Sequence, residues 1–188
     1  MDIQQVTFKK QFFKLFIQNI LCTISIGFIG LLIFFPLYNI RFMDKILGAF
    51  IYLLYCIFLY QNARKIAEYD LKSYSTTKAY PLKGFFLSLS MPVINFLVWA
   101  FMLFLQGFTA PGADVPSVAT IIGNILFFIW TFAYNELFSM TVTKIYWYSH
   151  LAMYLTPIFF TTLGYFAGYK KWDFSGRFDF LIYEKKKK

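Results

Sequence analysis

The sequence predicts an all-α polytopic membrane protein with four full transmembrane helices plus one re-entrant or interfacial helical segment. Three observations predict this class. The chain of 188 residues is 59% hydrophobic and only 14% charged, whereas about a quarter of the residues in an average soluble domain are charged. Five apolar segments approach or exceed the roughly 20 residues that a helix needs to cross the hydrocarbon core. The basic residues lie in blocks between those segments, as they do at the flanks of membrane spans.

The five segments are apolar almost throughout and cover residues 12–38, 46–60, 84–108, 118–140 and 146–168. The first follows a short basic stretch, as the apolar part of a signal peptide does. It is longer than such a part and has no A-x-A-like cleavage site after it, so we expect a retained span. The second is the shortest, and we expect it to continue as helix into the sequence QNARKIAEY.

The distribution of Lys and Arg predicts the orientation of the chain. The N-terminal block, the segment 62–83 and the tail 169–188 are all net positive, whereas the segment 107–117 contains neither Lys nor Arg. Basic flanks are retained on the cytoplasmic side of a membrane. We therefore expect both termini and a 62–83 loop in the cytoplasm, with a 107–117 loop outside.

Termini on one side of the membrane require an even number of crossings, so one of the five segments is not expected to cross fully. The fourth segment is the weakest candidate, because it contains Asn124, Asn135 and Glu136 and is closely followed by Lys144 and His150. Polar or irregular backbone at membrane depth is tolerated only against protein or beside a cavity. The alternative is a plain five-span bundle, whose tail would lie outside despite its basic charge.

A candidate intramembrane polar site consists of Glu136, Asn135, Asn95, Pro92 and His150. Glu136 is the only acidic residue within an apolar segment, and an intramembrane carboxylate is costly enough to suggest a function. The alternative for Glu136 is a solvated or paired side chain at headgroup level. The only histidine, His150, adjoins the aromatic run YWYS, which is typical of a membrane interface.

Pro92 lies within the third predicted span and Pro157 in the middle of the fifth. Each leaves a backbone carbonyl one turn earlier without its helical donor. Ser88 and Ser90 are near enough to Pro92 to supply a replacement. Broken helices expose backbone to substrates in transporters, although a kink that serves packing alone is the commoner outcome.

The sequence contains no catalytic constellation, and we expect neither a cofactor nor a metal ion. It has no HExxH, no phosphate-binding loop, no nucleophile elbow and no paired carboxylates within a span. Cys22 and Cys56 lie in apolar segments and form no CxxC, which favours buried packing thiols. Nucleic-acid binding is not expected, because the positive-inside pattern already explains the basic residues.

The tail alternates aromatic and charged residues and ends in four lysines. Such a segment combines apolar insertion with attraction to anionic lipid at the cytoplasmic face. The alternatives are docking on a cytoplasmic partner or a simple stop-transfer flank. The residues expected to contact lipid or a partner are Lys170, Lys171, Trp172, Arg177, Lys185, Lys186, Lys187 and Lys188.

Two short stretches, EYDLKSYSTTKAYPLKGFFLSLSMP and LGYFAGYKKW, resemble small uncharacterised multi-span membrane proteins of Gram-positive bacteria. The matching positions are Lys83 and Gly84 before Pro92, and then Gly164, Tyr165, Gly168, Tyr169 and Lys170. The resemblance implies a bacterial membrane protein and brings no activity with it.

The chain is also similar in length and hydrophobicity to the substrate-binding subunits of energy-coupling-factor vitamin transporters. Those proteins typically have six spans and an Ala-x-x-x-Ala motif in the first. This chain has Gly27 and Gly30 in its first span instead of the alanine pair.

The favoured hypothesis is a non-enzymatic integral membrane subunit or accessory protein of a larger, possibly transport, assembly in the cell membrane. Its contact surfaces would be the 62–83 loop and the tail, and its partners would be other membrane subunits and the bilayer. The alternative is a small-solute or ion transporter, or a substrate-binding membrane subunit, that uses the third helix kinked at Pro92 together with Glu136. An enzyme acting on lipid ranks third.

Overall fold

The computed structural model describes residues 3–37, 43–73, 75, 77–109, 115–138 and 147–172. These residues form six helices and no strand. The helices are α1 (Ile3–Leu37), α2 (Met43–Asp70), α3 (Lys83–Ser88), α4 (Ser90–Gln106), α5 (Val118–Phe138) and α6 (Trp147–Tyr169).

Five stretches of helix are long and apolar enough to cross a membrane, which confirms the predicted class of helical multi-span protein. They are Phe8–Ile33, Lys45–Asp70, Lys83–Gln106, Val118–Asn135 and Trp147–Tyr169. Many large apolar side chains on their outer surfaces are exposed. An exterior of this kind is suited to lipid rather than to water.

The second span continues well beyond its apolar part, as the sequence predicts. Helix α2 ends at Asp70, so the first part of the segment 62–83, which was expected to be a loop, is helical. The last turn is closed by the backbone N–H of Leu71, which donates to the carbonyl of Ala67 at 3.1 Å. This extension brings Asp70 to the end of the bundle.

The third span has a break at Leu89, which separates α3 from α4. Pro92 explains the position of the break, because a proline ring clashes with the carbonyl four residues earlier and offers it no N–H. The hydroxyls of Ser88 and Ser90 donate to the carbonyls of Phe85 at 2.7 Å and Leu87 at 3.2 Å. Both serines therefore bond backbone beside the break, but neither donates to the carbonyl of Ser88, which is the one that Pro92 leaves without its helical donor.

The contacts between helices give their relative directions. Tyr52 contacts Thr156, and farther along both helices Arg64 lies against Gly168, so α2 and α6 run parallel. Gln11 is bonded to Asp70, and α1 therefore begins where α2 ends.

The same end of the bundle also contains the start of α3, since Lys83 is bonded to Asp70. We call this end the basic end, because its surface includes Lys9, Lys10 and Lys170. The opposite end, where α4 finishes at Gln106, is called the neutral end.

Two glycines of α6 allow it to lie directly against the backbone of α2. A Cβ atom on Gly164 would clash with the carbonyl oxygen of Tyr60, and one on Gly168 would lie 2.7 Å from the carbonyl oxygen of Arg64. Small residues spaced in this way permit close helix packing within membranes. The pair α2 and α6 consequently forms the largest helix contact of the bundle.

Candidate functional site

The most highly connected polar cluster surrounds Asp70 at the basic end. One carboxylate oxygen of Asp70 accepts hydrogen bonds from the side-chain amide of Gln11 at 2.6 Å and from the hydroxyl of Thr77. The other oxygen accepts from the ammonium of Lys83 at 2.6 Å and from the hydroxyl of Tyr165 at 2.7 Å. The carboxylate therefore joins α1, α2, α3, α6 and the segment that follows α2.

Asp70 and Lys83 form a buried ion pair, with side chains that are 0% and 1% exposed. Taking such charges out of water is expensive, and their attraction repays the cost only when further hydrogen bonds satisfy the remaining lone pairs. Four donors meet that requirement at Asp70. Apolar residues of α1, α2, α3 and α6 pack nearby as a separate small core: Leu15, Ala63, Ile66, Ala67, Leu87 and Tyr165.

Tyr80 lies in the segment between α2 and α3, and its phenol is close enough to the Asp70 carboxylate for that charge to affect its pKa. Partial burial and the negative charge of Asp70 both raise the pKa of the Tyr80 phenol above its ordinary value. The phenol therefore stays protonated in the physiological pH range.

A second polar cluster lies near the middle of the bundle and is organised by Asn95 of α4. The side-chain amide of Asn95 donates to the carbonyl of Met153 at 2.8 Å, and its oxygen accepts from the indole N–H of Trp130 at 2.9 Å. Asn95 is 2% exposed. Both halves of the amide are thus used to connect α4 with α5 and α6.

Hydroxyl groups make further contacts between helices at a similar depth. Tyr52 and Thr156 share a hydrogen bond of 2.8 Å between α2 and α6. The hydroxyl of Thr23 donates to the backbone carbonyl of Asn19 within α1, and a longer 3.5 Å contact joins it to the hydroxyl of Tyr55 of α2. These hydroxyl contacts add to the links between α2 and its neighbours α1 and α6.

Asn19 of α1 differs from these groups, because its side chain is completely buried and neither amide atom has a hydrogen-bond partner among the described residues. The hydroxyl of the buried Thr161 in α6 is also without a partner there. Unsatisfied buried polar groups cost free energy. Their polar atoms are therefore candidates for binding a small polar ligand inside the bundle.

A cleft of about 540 Å³ opens between α1 and α2 at the basic end. The side chains that line it are mostly cationic or polar: Lys10, Gln11, Lys14, Gln18, Asn62, Lys65, Ile66, Glu68, Tyr69 and Lys72. Glu68 is the only acid in this set, and it forms a 2.7 Å salt bridge with Arg64. The cleft is therefore strongly positive.

The structure does not join the residues of the predicted intramembrane site into one described cluster. The backbone of Glu136 belongs to α5, but its side chain lies outside the part of the chain that is described. Asn135 is buried and accepts a 3.0 Å hydrogen bond from Thr131 of its own helix. Pro92 and Asn95 lie on α4, where Asn95 connects three helices.

His150 lies near the start of α6 among aromatic rings. Its imidazole makes an edge contact with Trp99, at 5.4 Å between ring centroids, and stacks on Tyr154 at 6.3 Å. The side chain is half-buried. These contacts give His150 a packing role between α4 and α6.

Only the beginning of the predicted lipid-contacting tail falls within the described residues. Lys170 and Lys171 are exposed, and the indole of Trp172 packs edge-on against Phe166 at 5.5 Å. Arg177 and Lys185 to Lys188 lie outside the described residues.

Sequence reasoning missed the cluster around Asp70, because it treated Asp70 and Lys83 as ordinary charges of a solvated loop. One signal was available: both residues directly adjoin apolar helices, at the end of α2 and the start of α3. Tyr165 gave no such signal, since an aromatic residue in a span is expected to pack against lipid or other helices.

Comparisons of the chain with known protein families, with curated protein sequences and with solved structures found no match. The resemblance to multi-span proteins of Gram-positive bacteria accordingly stays a prediction.

Proposed function

We propose that the chain is a non-enzymatic integral membrane protein that serves as a subunit or accessory protein of a larger membrane assembly. The cluster around Asp70 is the observation that favours this function. It holds four helices and the segment after α2 together through one buried carboxylate. A bundle end fastened in this way forms a rigid platform on which a partner subunit can dock.

Four full crossings with α5 as a re-entrant element are part of this proposal. Thr120, near the start of α5, donates to the carbonyl of Leu105 at 3.0 Å, so α5 begins at the neutral end. Helix α6 reaches the basic end and has 23 residues, a length of about 35 Å, so it also begins near the neutral end. An α5 that enters and returns on that side explains both positions.

The depth that α5 reaches also supports a re-entrant element. Near its end, Tyr134 contacts the rings of Tyr52 and Tyr55 at centroid distances of 5.8 and 5.7 Å. Tyr55 precedes Asp70 by 15 residues along α2, which corresponds to about 22 Å. The positive-inside rule supports a cytoplasmic location for the basic end, and we include a cytoplasmic location of both termini in the proposal.

Affinity purification of the full chain from its native membrane in a mild neutral detergent, followed by mass spectrometry, tests the proposal. The expected result is a second membrane protein at a constant ratio to this chain. The partner should be lost from a Lys83→Met variant, in which the platform is loosened, and retained by Lys78→Met, which alters an exposed lysine. A monodisperse chain without a co-purifying protein would contradict the subunit function.

A transporter of small solutes or ions is the second candidate. The observation in its favour is that the side chains of Asn19 and Thr161 have no hydrogen-bond partner within the described part of the chain. Flux into vesicles containing the purified chain tests it with Asn19→Leu and Glu136→Gln. Flux that falls with Asn19→Leu would place the solute beside α1. Absence of any flux with the unaltered chain would remove this candidate.

A further inference from the structure

We propose that the cleft between α1 and α2 binds the phosphate headgroup of an anionic membrane phospholipid. The proposal goes beyond the subunit function, because it concerns a site for a small ligand and holds whether or not the chain joins an assembly. It also differs from the lipid contact expected of the tail, since the cleft lies between two helices of the bundle.

The charges of the cleft are available to a ligand. Lys10, Lys14 and Lys65 are exposed and have no ion-pair partner among the described residues. The carboxylate of Glu68 is bound to Arg64 at 2.7 Å. Three lysine ammonium groups can therefore converge on one phosphate, and lysine is a common phosphate ligand.

The lining of the cleft changes along the helix axis from cationic to polar to apolar. A phospholipid changes in the matching order, from phosphate to ester groups to acyl chains. The lysines lie nearest the basic end, and the amides of Gln18 and Asn62 lie deeper. Gln18 follows Lys10 by eight residues, which is about 12 Å along α1. Side-chain amides at this depth can donate to the ester carbonyls that join a phospholipid headgroup to its acyl chains.

Beyond the amides the same helix faces become apolar. Leu21 follows Gln18 by one turn and is 58% exposed, and Phe58 precedes Asn62 by one turn and is 48% exposed. Acyl chains that leave the cleft would lie against these two side chains. A soluble phosphate would contact only the lysines, whereas a phospholipid would contact the lysines, the two amides and the apolar side chains beyond them.

Lipid binding to the full chain in neutral detergent, measured by native mass spectrometry, tests the proposal. The titrant is phosphatidylglycerol, and phosphatidylcholine serves as the zwitterionic comparison. We expect one phosphatidylglycerol bound per chain in preference to phosphatidylcholine. Equal retention of the two lipids would overturn the proposal.

Two double lysine variants distinguish lipid binding in the cleft from a general attraction of lipid to surface charge. Each lysine near a lipid surface contributes about fivefold to binding, so Lys14→Gln/Lys65→Gln should weaken phosphatidylglycerol binding about 25-fold. The matched control Lys9→Gln/Lys78→Gln removes the same charge from exposed positions outside the cleft. Equal weakening in both variants would show a diffuse charge effect and would contradict a site.

Amide variants and competition with soluble phosphates distinguish a phospholipid headgroup from a soluble phosphate compound. Gln18→Leu/Asn62→Leu should weaken binding of phosphatidylglycerol while Lys14 and Lys65 remain in place. Inorganic phosphate and glycerol 3-phosphate should displace the lipid only at far higher concentrations than the lipid itself requires. Displacement at equal concentrations would identify a soluble phosphate compound as the ligand and overturn the lipid assignment.

Discussion

Asn95 supplies the hydrogen bond that Pro157 removes. A helix proline leaves the carbonyl four residues earlier without a donor, and for Pro157 this is the carbonyl of Met153. The side-chain amide of Asn95 donates to that oxygen from the neighbouring helix at 2.8 Å. The proline in α6 and the polar residue in α4 are therefore two parts of one contact.

This relationship predicts that the effects of replacing Asn95 and Pro157 are not additive. Asn95→Leu should lower the free energy of unfolding by about 1–2 kcal/mol, because hydrogen bonds between membrane helices contribute up to about 1.7 kcal/mol. In a Pro157→Ala background the cost should be smaller, since the substituted residue regains a backbone N–H that can bond the carbonyl itself. Unfolding in mixed detergent micelles, followed by tryptophan fluorescence, measures the four stabilities of the cycle. An equal cost of Asn95→Leu in both backgrounds would contradict the relationship.

Removing Lys83 should be much more damaging than removing an exposed lysine. Lys83→Met leaves the Asp70 carboxylate buried without its counter-charge, and breaking a buried pair typically costs about 3–5 kcal/mol. Asp70→Asn/Lys83→Met should be more stable than Lys83→Met alone, because the uncompensated charge is gone. Thermal unfolding in detergent compares these variants with Lys78→Met, which should match the unaltered chain. If Lys83→Met were as stable as Lys78→Met, the ion pair would have no structural importance.

Close packing of α6 on α2 should not tolerate a methyl group at its glycines. Gly164→Ala places a Cβ against the backbone of Tyr60, and overpacking of this kind typically costs about 1–3 kcal/mol. Gly107→Ala is the control, since Gly107 directly follows α4 and its Cβ would meet only the carbonyl oxygen of Phe104 in that helix, at 3.2 Å. The midpoint of thermal unfolding distinguishes them, and equal midpoints would mean that α6 can shift away from α2 without penalty.

The proposed topology predicts which exposed positions share a side of the membrane. In a background without Cys22 and Cys56, single cysteines replace Ser73, Lys170 and Val115. Four crossings put positions 73 and 170 on one side and position 115 on the other. A membrane-impermeant maleimide applied to intact cells should label only position 115, and all three should react after permeabilisation. Labelling of positions 115 and 170 together would instead support five full crossings.

The main features of the fold follow from local sequence. Runs of apolar residues determine where the spans lie. A single segment in lipid must hydrogen-bond all its own backbone N–H and C=O groups, and an α-helix does so. The extension of α2 as far as Asp70 was likewise readable from QNARKIAEY. Pro92 indicated the break before α4, because a proline ring clashes with a carbonyl of its own helix and the effect therefore depends on local sequence alone.

Tertiary structure decided which polar residues meet. Asp70 and Tyr165 are 95 residues apart in the chain, and Asn95 and Met153 are 58 apart, so no local pattern relates them. The meeting of Asp70 and Tyr165 depends on the parallel course of α2 and α6, which the glycines of α6 permit through close approach. The composition of this sequence by itself determined a helical membrane protein with a basic end. Polar groups inside a bundle find their hydrogen-bond partners on neighbouring helices. Helix packing therefore buried Asp70 among four donors and placed the amide of Asn95 against the Met153 carbonyl that Pro157 leaves without a donor.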